Sequence, residues 1–419
     1  MKQGEGTGLA IFSLILVILI DALGWGIVYP SLEPILLHNV TNVFSASTSV
    51  DLRNFWYESM VGLYMLCMFI MSPLLGSLSD RYGRRIILAA SMFGNALGFF
   101  IAGIGVSLSS LTLLVIGRLI SGATAGSLPI AQAAMMDIST SEEKPRRLSL
   151  VALANVTGFA LGPVIGAFCL NPFILGKSLP YALPFWLVVG VALLGMFLVL
   201  YLFKETFVGV QTVKISIFTG FLNLYEAIKL KNSRWLCLAF SFFMLSWAMF
   251  FSLIPLLLAD RFKWRASTIG YFISFTAVFL GLGVVFIMPR LVKWFRLESI
   301  VYFSFTALIF CMVLFPLIHR EIFLWIVIVL TIAVPLAYVA LASLLSEVVG
   351  VDEQGKMMGV LGSLIALSWG LGPILSGYVV DFSFSLAYLF VVISICLALL
   401  IFIKNFKKQL KLFVNRSGY

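Results

Sequence analysis

The sequence predicts an all-α polytopic membrane protein, with twelve transmembrane helices in two pseudo-symmetric six-helix bundles. Its composition, the number of its apolar runs and an internal repeat support this fold class. Of the 419 residues, 61% are hydrophobic and 11% are charged, whereas soluble domains contain about 25% charged residues. So little polar surface cannot cover the core of a soluble protein of this length.

Twelve apolar runs are long enough to cross a bilayer, which requires about 20 residues per helix. The even number places both termini on the same side of the membrane. The predicted spans are 9–30, 56–78, 86–106, 110–136, 148–170, 183–203, 235–258, 268–288, 299–318, 322–346, 358–380 and 386–403.

The basic residues indicate which side this is. Of the 28 Lys and Arg residues, 21 lie at the termini or in loops that follow even-numbered spans, six lie in the other loops, and Arg118 lies inside span 4. The positive-inside rule therefore places both termini in the cytoplasm and the chain in the cytoplasmic membrane. The same distribution explains the net charge of +10 without a nucleic-acid partner.

The longest internal loop divides the chain into an N-terminal bundle (1–203), a linker (204–234) and a C-terminal bundle with a short basic tail (235–419). Within the linker, the segment ISIFTGFLNLYEAIKL carries apolar residues at helical spacing. This pattern indicates either an amphipathic helix on the inner membrane surface or a flexible linker.

Spans 5 and 11 carry a repeat at an offset of 210 residues, in the segments that begin at Glu142 and Asp352. The repeat indicates two parallel halves, and in such transporters the substrate site lies near the midplane between them. It is asymmetric, because GSLSDRYGRR in the first half corresponds to FIMPRLVKWF in the second. The aligned pairs are Glu142 with Asp352, Glu143 with Glu353, Asp137 with Glu347, Gly162 with Gly372, and Pro163 with Pro373.

Several motifs resemble the major facilitator superfamily and, within it, the twelve-helix drug:proton antiporters that include the tetracycline efflux proteins. GSLSDRYGRR, from Gly76 to Arg85, resembles the superfamily's signature loop between helices 2 and 3. The other matching segments are DALGWGIVYPSLEP from Asp21 (first helix), GRLISGATAGSLPIAQAAMMDIS from Gly117 (fourth), GFALGPVIGA from Gly158 (fifth) and EQGKMMGVLGSL from Glu353 (eleventh).

This resemblance implies a monomeric, lipid-embedded transporter that exports a small organic, amphipathic compound by alternating access in exchange for protons. The alternatives are an exporter or importer of a metabolite or siderophore, and a transporter-like receptor without flux. No enzymatic activity, metal site or cofactor is expected, because the sequence contains no nucleotide loop, metal-ligand spacing or nucleophile–base constellation. The proton gradient is the expected energy source.

Asp21 lies inside span 1, where an unpaired charge costs several kcal/mol. It is either a proton or cation site or a structural carboxylate in an ion pair. Arg118, in span 4, lies at a similar depth, so that an Asp21–Arg118 pair is geometrically possible; a purely structural role is its alternative. Glu33, near the outer end of span 1, lines an exit vestibule or is a solvated helix end.

Spans 7–12 contain no acidic residue well inside them. This leaves Asp21 as the main candidate for a membrane-embedded proton carrier. It also argues against tetracycline itself as the substrate, because the resemblance to tetracycline exporters implies additional ionisable groups in the second half. His38 and His319 lie near predicted span ends, without metal-ligand spacing, and structural roles are expected for both.

The loop after span 2 is interpreted as a conformational latch. The resemblance implies a network of Asp80, Arg84 and Asp137 that locks the inner helix ends in the outward-facing state. Gly76 would allow close helix approach and Gly83 a tight turn. Arg81 adds to the positive charge of the loop.

Two further sets of residues complete the predicted machinery. Gly158, Gly162 and Gly166 recur every fourth residue and, with Pro163, predict close, bendable packing of span 5; Gly372 and Pro373 do the same in span 11. Aromatic residues of the second half line a cavity for a bulky amphipathic substrate or serve lipid contact and packing. They are Trp247, Tyr271, Trp325, Tyr338 and Trp369.

Overall fold

The helices expected from the apolar runs form throughout the chain. The computed structural model describes residues 3–140, 143–170, 181–205, 216–229, 233–349 and 354–416, and no β-strand occurs in those ranges. Twelve of the helices there are long and apolar enough to cross a membrane, which confirms the predicted number. They are Gly8–Leu37, Val50–Tyr82, Arg84–Ser107, Leu111–Asp137, Leu150–Cys169, Leu183–Leu202, Arg234–Arg261, Ala266–Trp294, Leu297–Leu317, Glu321–Val348, Met357–Val380 and Phe384–Lys404.

The first two spans extend beyond their predicted bounds into the connection between them. The α-helix Gln3–Leu32 continues as a π-helix, Glu33–Leu37. The second span is the helix Val50–Tyr82, and it begins where Ser49 accepts a hydrogen bond from the Leu52 N–H at 3.3 Å. The predicted bounds were too short here, because polar residues interrupt the apolar run without ending the helix.

Several spans are broken rather than continuous. The fourth consists of Leu111–Ala123 and Ser127–Asp137, separated at 124–126. Breaks inside a membrane leave backbone groups that neighbouring protein must satisfy, and they often line functional cavities. The other interrupted spans are the eighth (Ala266–Leu282, π-helix Gly283–Ile287, Met288–Trp294), the ninth (Leu297–Leu314, 3-10 helix Phe315–Leu317) and the tenth (Glu321–Val327, 3-10 helix Ile328–Ile332, Ala333–Val348).

The remaining helices are unbroken. They are Arg84–Ser107, Lys144–Cys169, Leu183–Leu202, Thr219–Lys229, Arg234–Arg261, Gln354–Val380 and Phe384–Arg416. The helix Thr219–Lys229 forms in the predicted linker, where an amphipathic helix was one of the two interpretations. Asn223 on this helix donates hydrogen bonds to the Gly359 carbonyl oxygen at 3.3 Å and to Ser363 Oγ at 3.0 Å. Linker residues 206–215 and 230–232 lie outside the described residues, as do Glu142, Asp352 and Glu353 of the repeat.

The chain forms two compact units. One comprises residues 1–219 with 258–277, and the other comprises residues 220–257 with 278–419. The second unit has an aromatic core in which Phe240, Phe243, Phe250, Phe305 and Phe315 are fully buried. The division into bundles 1–203 and 235–419 around a linker stays a prediction.

Candidate functional site

Asp21 is held by two neutral hydrogen-bond donors from other spans. Asn95 Nδ2, in the third span, donates to Asp21 Oδ1 at 3.0 Å. Ser127 Oγ donates to Asp21 Oδ2, and this serine begins the second helix of the broken fourth span. Asp21 is only partly buried, whereas Asn95 and Ser127 are buried. Three spans therefore meet at one carboxylate inside the first unit.

Arg118 does not form the ion pair that its depth made possible. It is 2% exposed, its Nε donates to the Met60 carbonyl oxygen at 3.2 Å, and its guanidinium lies 4.7 Å from the centroid of the Tyr64 ring. No ion pair with Asp21 occurs among the described residues. Tyr64 lies within electrostatic range of both Asp21 and Arg118. It is therefore a common neighbour of the two charged groups.

Glu33 is not a solvated helix end. It is 1% exposed, and its Oε1 lies 2.9 Å from Nε2 of the half-exposed His38. Its placement on the π-helical turn that follows Leu32 brings the side chain inward. The neighbouring Glu33 carboxylate raises the pKa of the His38 imidazole above its usual value, against the opposing effect of partial burial.

A second buried carboxylate, Glu58, lies near this site and was not singled out from the sequence. Glu58 is fully buried, and it lies within electrostatic range of Tyr29 and Tyr57. Its position inside the predicted span 56–78 is the signal that should have identified it, because an acidic residue inside a span is rarely there without a function. Asn95 and Ser127 were also missed.

The loop after span 2 brings three of its predicted residues together. Arg84 Nη1 lies 2.5 Å from Asp80 Oδ1, and Arg84 Nε donates to Asp137 Oδ2 at 3.1 Å. Arg84 Nη1 also donates to Ser79 Oγ at 2.7 Å. One guanidinium thus joins the ends of the second, third and fourth spans, in a geometry where charged hydrogen bonds are strong. Arg81 stays outside the network and lies 5.4 Å from the ring of Tyr82.

The turn itself depends on Gly83 and on Glu205, a residue that the sequence did not suggest. Gly83 has φ +103°, a conformation that favours glycine. Glu205, just after the sixth span, accepts hydrogen bonds from the backbone N–H of Arg84 at 2.9 Å and of Arg85 at 3.2 Å. It therefore caps the third span. A Cβ atom at Gly76 would meet no atom of the described residues within 4 Å, so the structure shows no close helix approach there.

The glycine stripe of the fifth span packs against the backbone of the first. A Cβ atom at Gly158 would lie 2.5 Å from the Leu19 carbonyl oxygen, and one at Gly162 would lie 2.6 Å from Gly26 Cα. One at Gly166 would collide with the Ile27 carbonyl oxygen. The backbone of the fifth span therefore contacts the backbone of the first span directly at these three glycines. The first span is the one that carries Asp21.

The second unit contains a looser version of the same contact. A Cβ atom at Gly372 would lie 3.0 Å from Ala248 Cβ and 3.3 Å from Met249 N. The eleventh span thus approaches the seventh closely at the position that the repeat pairs with Gly162. Pro373 follows it inside the helix Gln354–Val380.

The five predicted aromatic residues are distributed over the two units. Trp247 is buried, and its ring lies 5.5 Å from that of Phe251, which in turn lies 5.5 Å from the ring of Trp369. Tyr271 belongs to the other unit. Trp325 is partly exposed. Packing is thus the observed role of Trp247, and a cavity lined by the whole set stays a prediction.

Tyr338 is the member that borders an open cavity. This cavity, of about 460 Å³, lies in the second unit between the tenth and eleventh spans. Its polar lining consists of Tyr338, Ser343, Ser346 and Glu347, and Met358 contributes an apolar surface. In the part of the chain that the structure describes, no group of three or more His, Cys, Asp or Glu residues is placed to hold a metal ion.

The sequence model of the Major Facilitator Superfamily matches residues 14–351. The class C tetracycline resistance protein of Escherichia coli is 27% identical to this chain over 357 residues, which cover 85% of this chain and 86% of that protein. Multidrug resistance protein 1 of Bacillus subtilis (strain 168) is 26% identical over 346 residues, covering 81% and 84%.

Solved structures share the fold at lower identity. The human organic anion transporter MFSD10 matches with a TM-score of 0.70 at 19% identity, over 95% of this chain and 99% of that chain. A bacterial homolog of the human lysosomal transporter Spinster, captured inward-facing and unoccupied, matches with a TM-score of 0.73 at 13% identity, over 97% and 98%.

Proposed function

Because the chain belongs to the Major Facilitator Superfamily, a superfamily of membrane transporters for small molecules, we propose that it is a secondary active exporter. It moves a small organic, amphipathic compound across the cytoplasmic membrane by alternating access, in exchange for protons. The chain works as a monomer with both termini in the cytoplasm, and the proton gradient supplies the energy. Relatives that confer tetracycline and multidrug resistance support the direction of transport.

Asp21 is the observation on which the proton coupling rests. Its two described partners, Asn95 and Ser127, are neutral donors, so they do not neutralise the charge of the carboxylate. In a membrane-spanning helix an uncompensated charge is costly, which favours proton uptake whenever water is withdrawn. Arg118 is then the cation that can receive the carboxylate once Asn95 or Ser127 releases it.

The network around Arg84 is the proposed latch. Asp80, Asp137 and Glu205 bind this turn through four polar contacts with Arg84 and Arg85. In a fifth contact, Arg84 donates to Ser79 Oγ. Alternating access requires the ends of the helices to separate in one state and to meet in the other. We propose that the contacts of Arg84 hold one of these states and that some of them break in the other.

The cavity beside Tyr338 supports an amphipathic substrate. A phenol ring and a methionine offer apolar contact, and Ser343 and Glu347 offer polar groups in the same space. Ligand sites of this kind combine an apolar lining with a few polar groups that orient the ligand.

The proposed export is tested by accumulation in an exporter-deficient bacterial host that expresses the chain. The probes are tetracycline, a quinolone and ethidium, with a set of metabolites and siderophores beside them. Lower accumulation of a probe, restored by a protonophore, supports proton-driven export. Higher accumulation identifies an importer. No change for any compound in the set identifies a receptor without flux.

A further inference from the structure

The linker helix, Thr219–Lys229, presents large apolar side chains on its outward face. Leu222 and Tyr225, three residues apart on this face, are 54% and 60% exposed. Gly220 and Ala227, on the opposite face, are buried. A helix on a soluble surface has the reverse arrangement, with its apolar stripe toward the core. The outward face of the linker helix therefore fits an apolar surrounding better than water.

Asn223 holds the linker helix beside a membrane span. Its Nδ2 donates to the Gly359 carbonyl oxygen at 3.3 Å and to Ser363 Oγ at 3.0 Å. Both acceptors belong to the eleventh span, Met357–Val380. Because a helix rises 1.5 Å per residue, both contacts lie within about 10 Å of the start of this span. The linker helix therefore lies where a bilayer changes from polar headgroups to hydrocarbon.

Basic residues border the outward apolar face. Lys229 is exposed, and its Nζ lies 6.0 Å from the centroid of the Tyr225 ring. Arg234, which is also exposed, begins the seventh span. The segment 216–234 contains three basic residues and one acidic residue, Glu226. Apolar and aromatic side chains beside basic ones are typical of helices that lie in the interface of a membrane with anionic lipids.

We propose that the linker helix is a lipid-binding arm of the protein. Leu222 and Tyr225 enter the headgroup region of the cytoplasmic leaflet, where the proposed topology places the linker. Lys229 binds the headgroups of anionic lipids, to which the charge of the segment is complementary. A membrane fits this face better than a soluble protein does, because Asn223 holds the helix at the end of a membrane span.

The arm also connects the lipid surface with the cavity of the second unit. Gly359, which accepts a hydrogen bond from Asn223, follows Met358, and Met358 lines that cavity. Attachment of the arm to lipid therefore restrains the part of the eleventh span that borders the cavity. This regulation rests on the proposed function, whereas the attachment to lipid does not.

Hydrogen–deuterium exchange of the purified full-length chain, without substrate or gradient, tests the attachment. The chain is placed in nanodiscs of phosphatidylcholine alone, or of phosphatidylcholine and phosphatidylglycerol in equal parts. Amides of 219–229 should exchange more slowly with phosphatidylglycerol present, and equal exchange in the two lipids overturns the binding of anionic headgroups. The double variant Leu222→Gln, Tyr225→Gln should exchange faster than the wild type in both lipids. If it exchanges as the wild type does, the apolar face is not in the membrane, and a soluble partner is the better occupant.

Lys229→Gln isolates the contribution of the charge. It should raise the exchange rate of 219–229 about fivefold in nanodiscs with phosphatidylglycerol, the effect of one basic residue at an anionic surface, and leave the rate in phosphatidylcholine unchanged. Lys293→Gln is the matched control, because Lys293 is an exposed lysine at the end of the eighth span, on the same predicted side of the membrane. An unchanged rate in Lys229→Gln contradicts the headgroup contact.

Asn223→Ala tests the connection to the eleventh span. In the wild type, phosphatidylglycerol should slow exchange in 357–363 as well as in 219–229. In Asn223→Ala the response of 219–229 should persist, and that of 357–363 should be lost. A response of 357–363 that equals that of the wild type overturns the connection. If the arm behaves as expected while the accumulation assay shows no export, the proposed function fails and the lipid-binding arm stands.

Discussion

Asn95 and Asp21 are joined by a hydrogen bond of 3.0 Å that links the third span to the first. Together with Ser127, the amide holds the carboxylate away from Arg118, which instead lies against Tyr64 and the Met60 carbonyl oxygen. Two neutral donors are thus the described hydrogen-bond partners of Asp21, and the predictions for this site depend on this arrangement.

Asn95→Ala should move the pH dependence of transport to higher pH. Losing a hydrogen bond to a charged group costs the ionised carboxylate about 1.5 kcal/mol, which corresponds to a shift of about 1 pH unit. The measurement is the initial rate of transport across a pH series. Ser91→Ala is the control, since Ser91 is buried one turn earlier on the same helix and makes no described hydrogen bond through its side chain. An unshifted profile in Asn95→Ala would show that this amide does not tune Asp21.

Asp80→Asn and Arg84→Ala should impair transport while leaving membrane insertion intact. Each removes a partner from the charged hydrogen bonds at this turn, worth about 1.5–3 kcal/mol apiece. The turnover rate, normalised to the amount of inserted protein, should therefore fall in both variants. Arg81→Ala removes a positive charge from the same loop without touching the network and should transport normally. Normal transport by Asp80→Asn would rule out the latch.

Gly83→Ala should destabilise the protein and Gly76→Ala should not. At Gly83 an alanine must adopt φ +103° and its Cβ would lie 2.9 Å from Glu205 Cδ, and such backbone strain costs about 1–3 kcal/mol. At Gly76 the Cβ meets open space. Thermal unfolding in detergent, followed by intrinsic fluorescence, compares the two. Equal melting temperatures would mean that the turn relaxes at no cost.

The pairing of His38 with Glu33 should stabilise the protein more at low pH than at high pH. Its pKa is raised by Glu33, so its protonated form contributes stability that is fully present below its ordinary pKa of about 6.5 and is lost as the pH rises through the raised value. The wild type should therefore exceed Glu33→Gln in melting temperature by more at about pH 5 than at about pH 8. In the His38→Gln background, this difference between the two pH values should vanish. A difference that grows with pH would contradict the pairing.

Much of the fold follows from the sequence, because about 20 apolar residues leave a helix little choice in a bilayer. The helix ends were less predictable. Glu33 lies beyond the predicted span 9–30, yet the helix continues through it as a π-helical turn. Hydropathy identifies a carboxylate as polar, but it does not predict that a histidine such as His38 will lie beside a buried Glu33.

The site was predictable in its charged residues and not in its neutral ones. An aspartate inside a span stands out against apolar neighbours, whereas Asn95 and Ser127 resemble ordinary polar residues of membrane helices. Which of them faces Asp21 depends on the rotation of the third span and on the break before Ser127. The position of Glu205 depends likewise on how the chain leaves the sixth span, for which no sequence pattern exists.

The most direct test of the central claim compares wild type and Asp21→Asn in everted membrane vesicles, using a probe that passes the accumulation test. Transport driven by an imposed pH gradient should be lost in Asp21→Asn. Exchange of labelled for unlabelled probe without a gradient should persist, because substrate binding and alternating access do not require the proton. A variant whose transport still follows the pH gradient as the wild type does would contradict the assignment of Asp21 as the proton carrier.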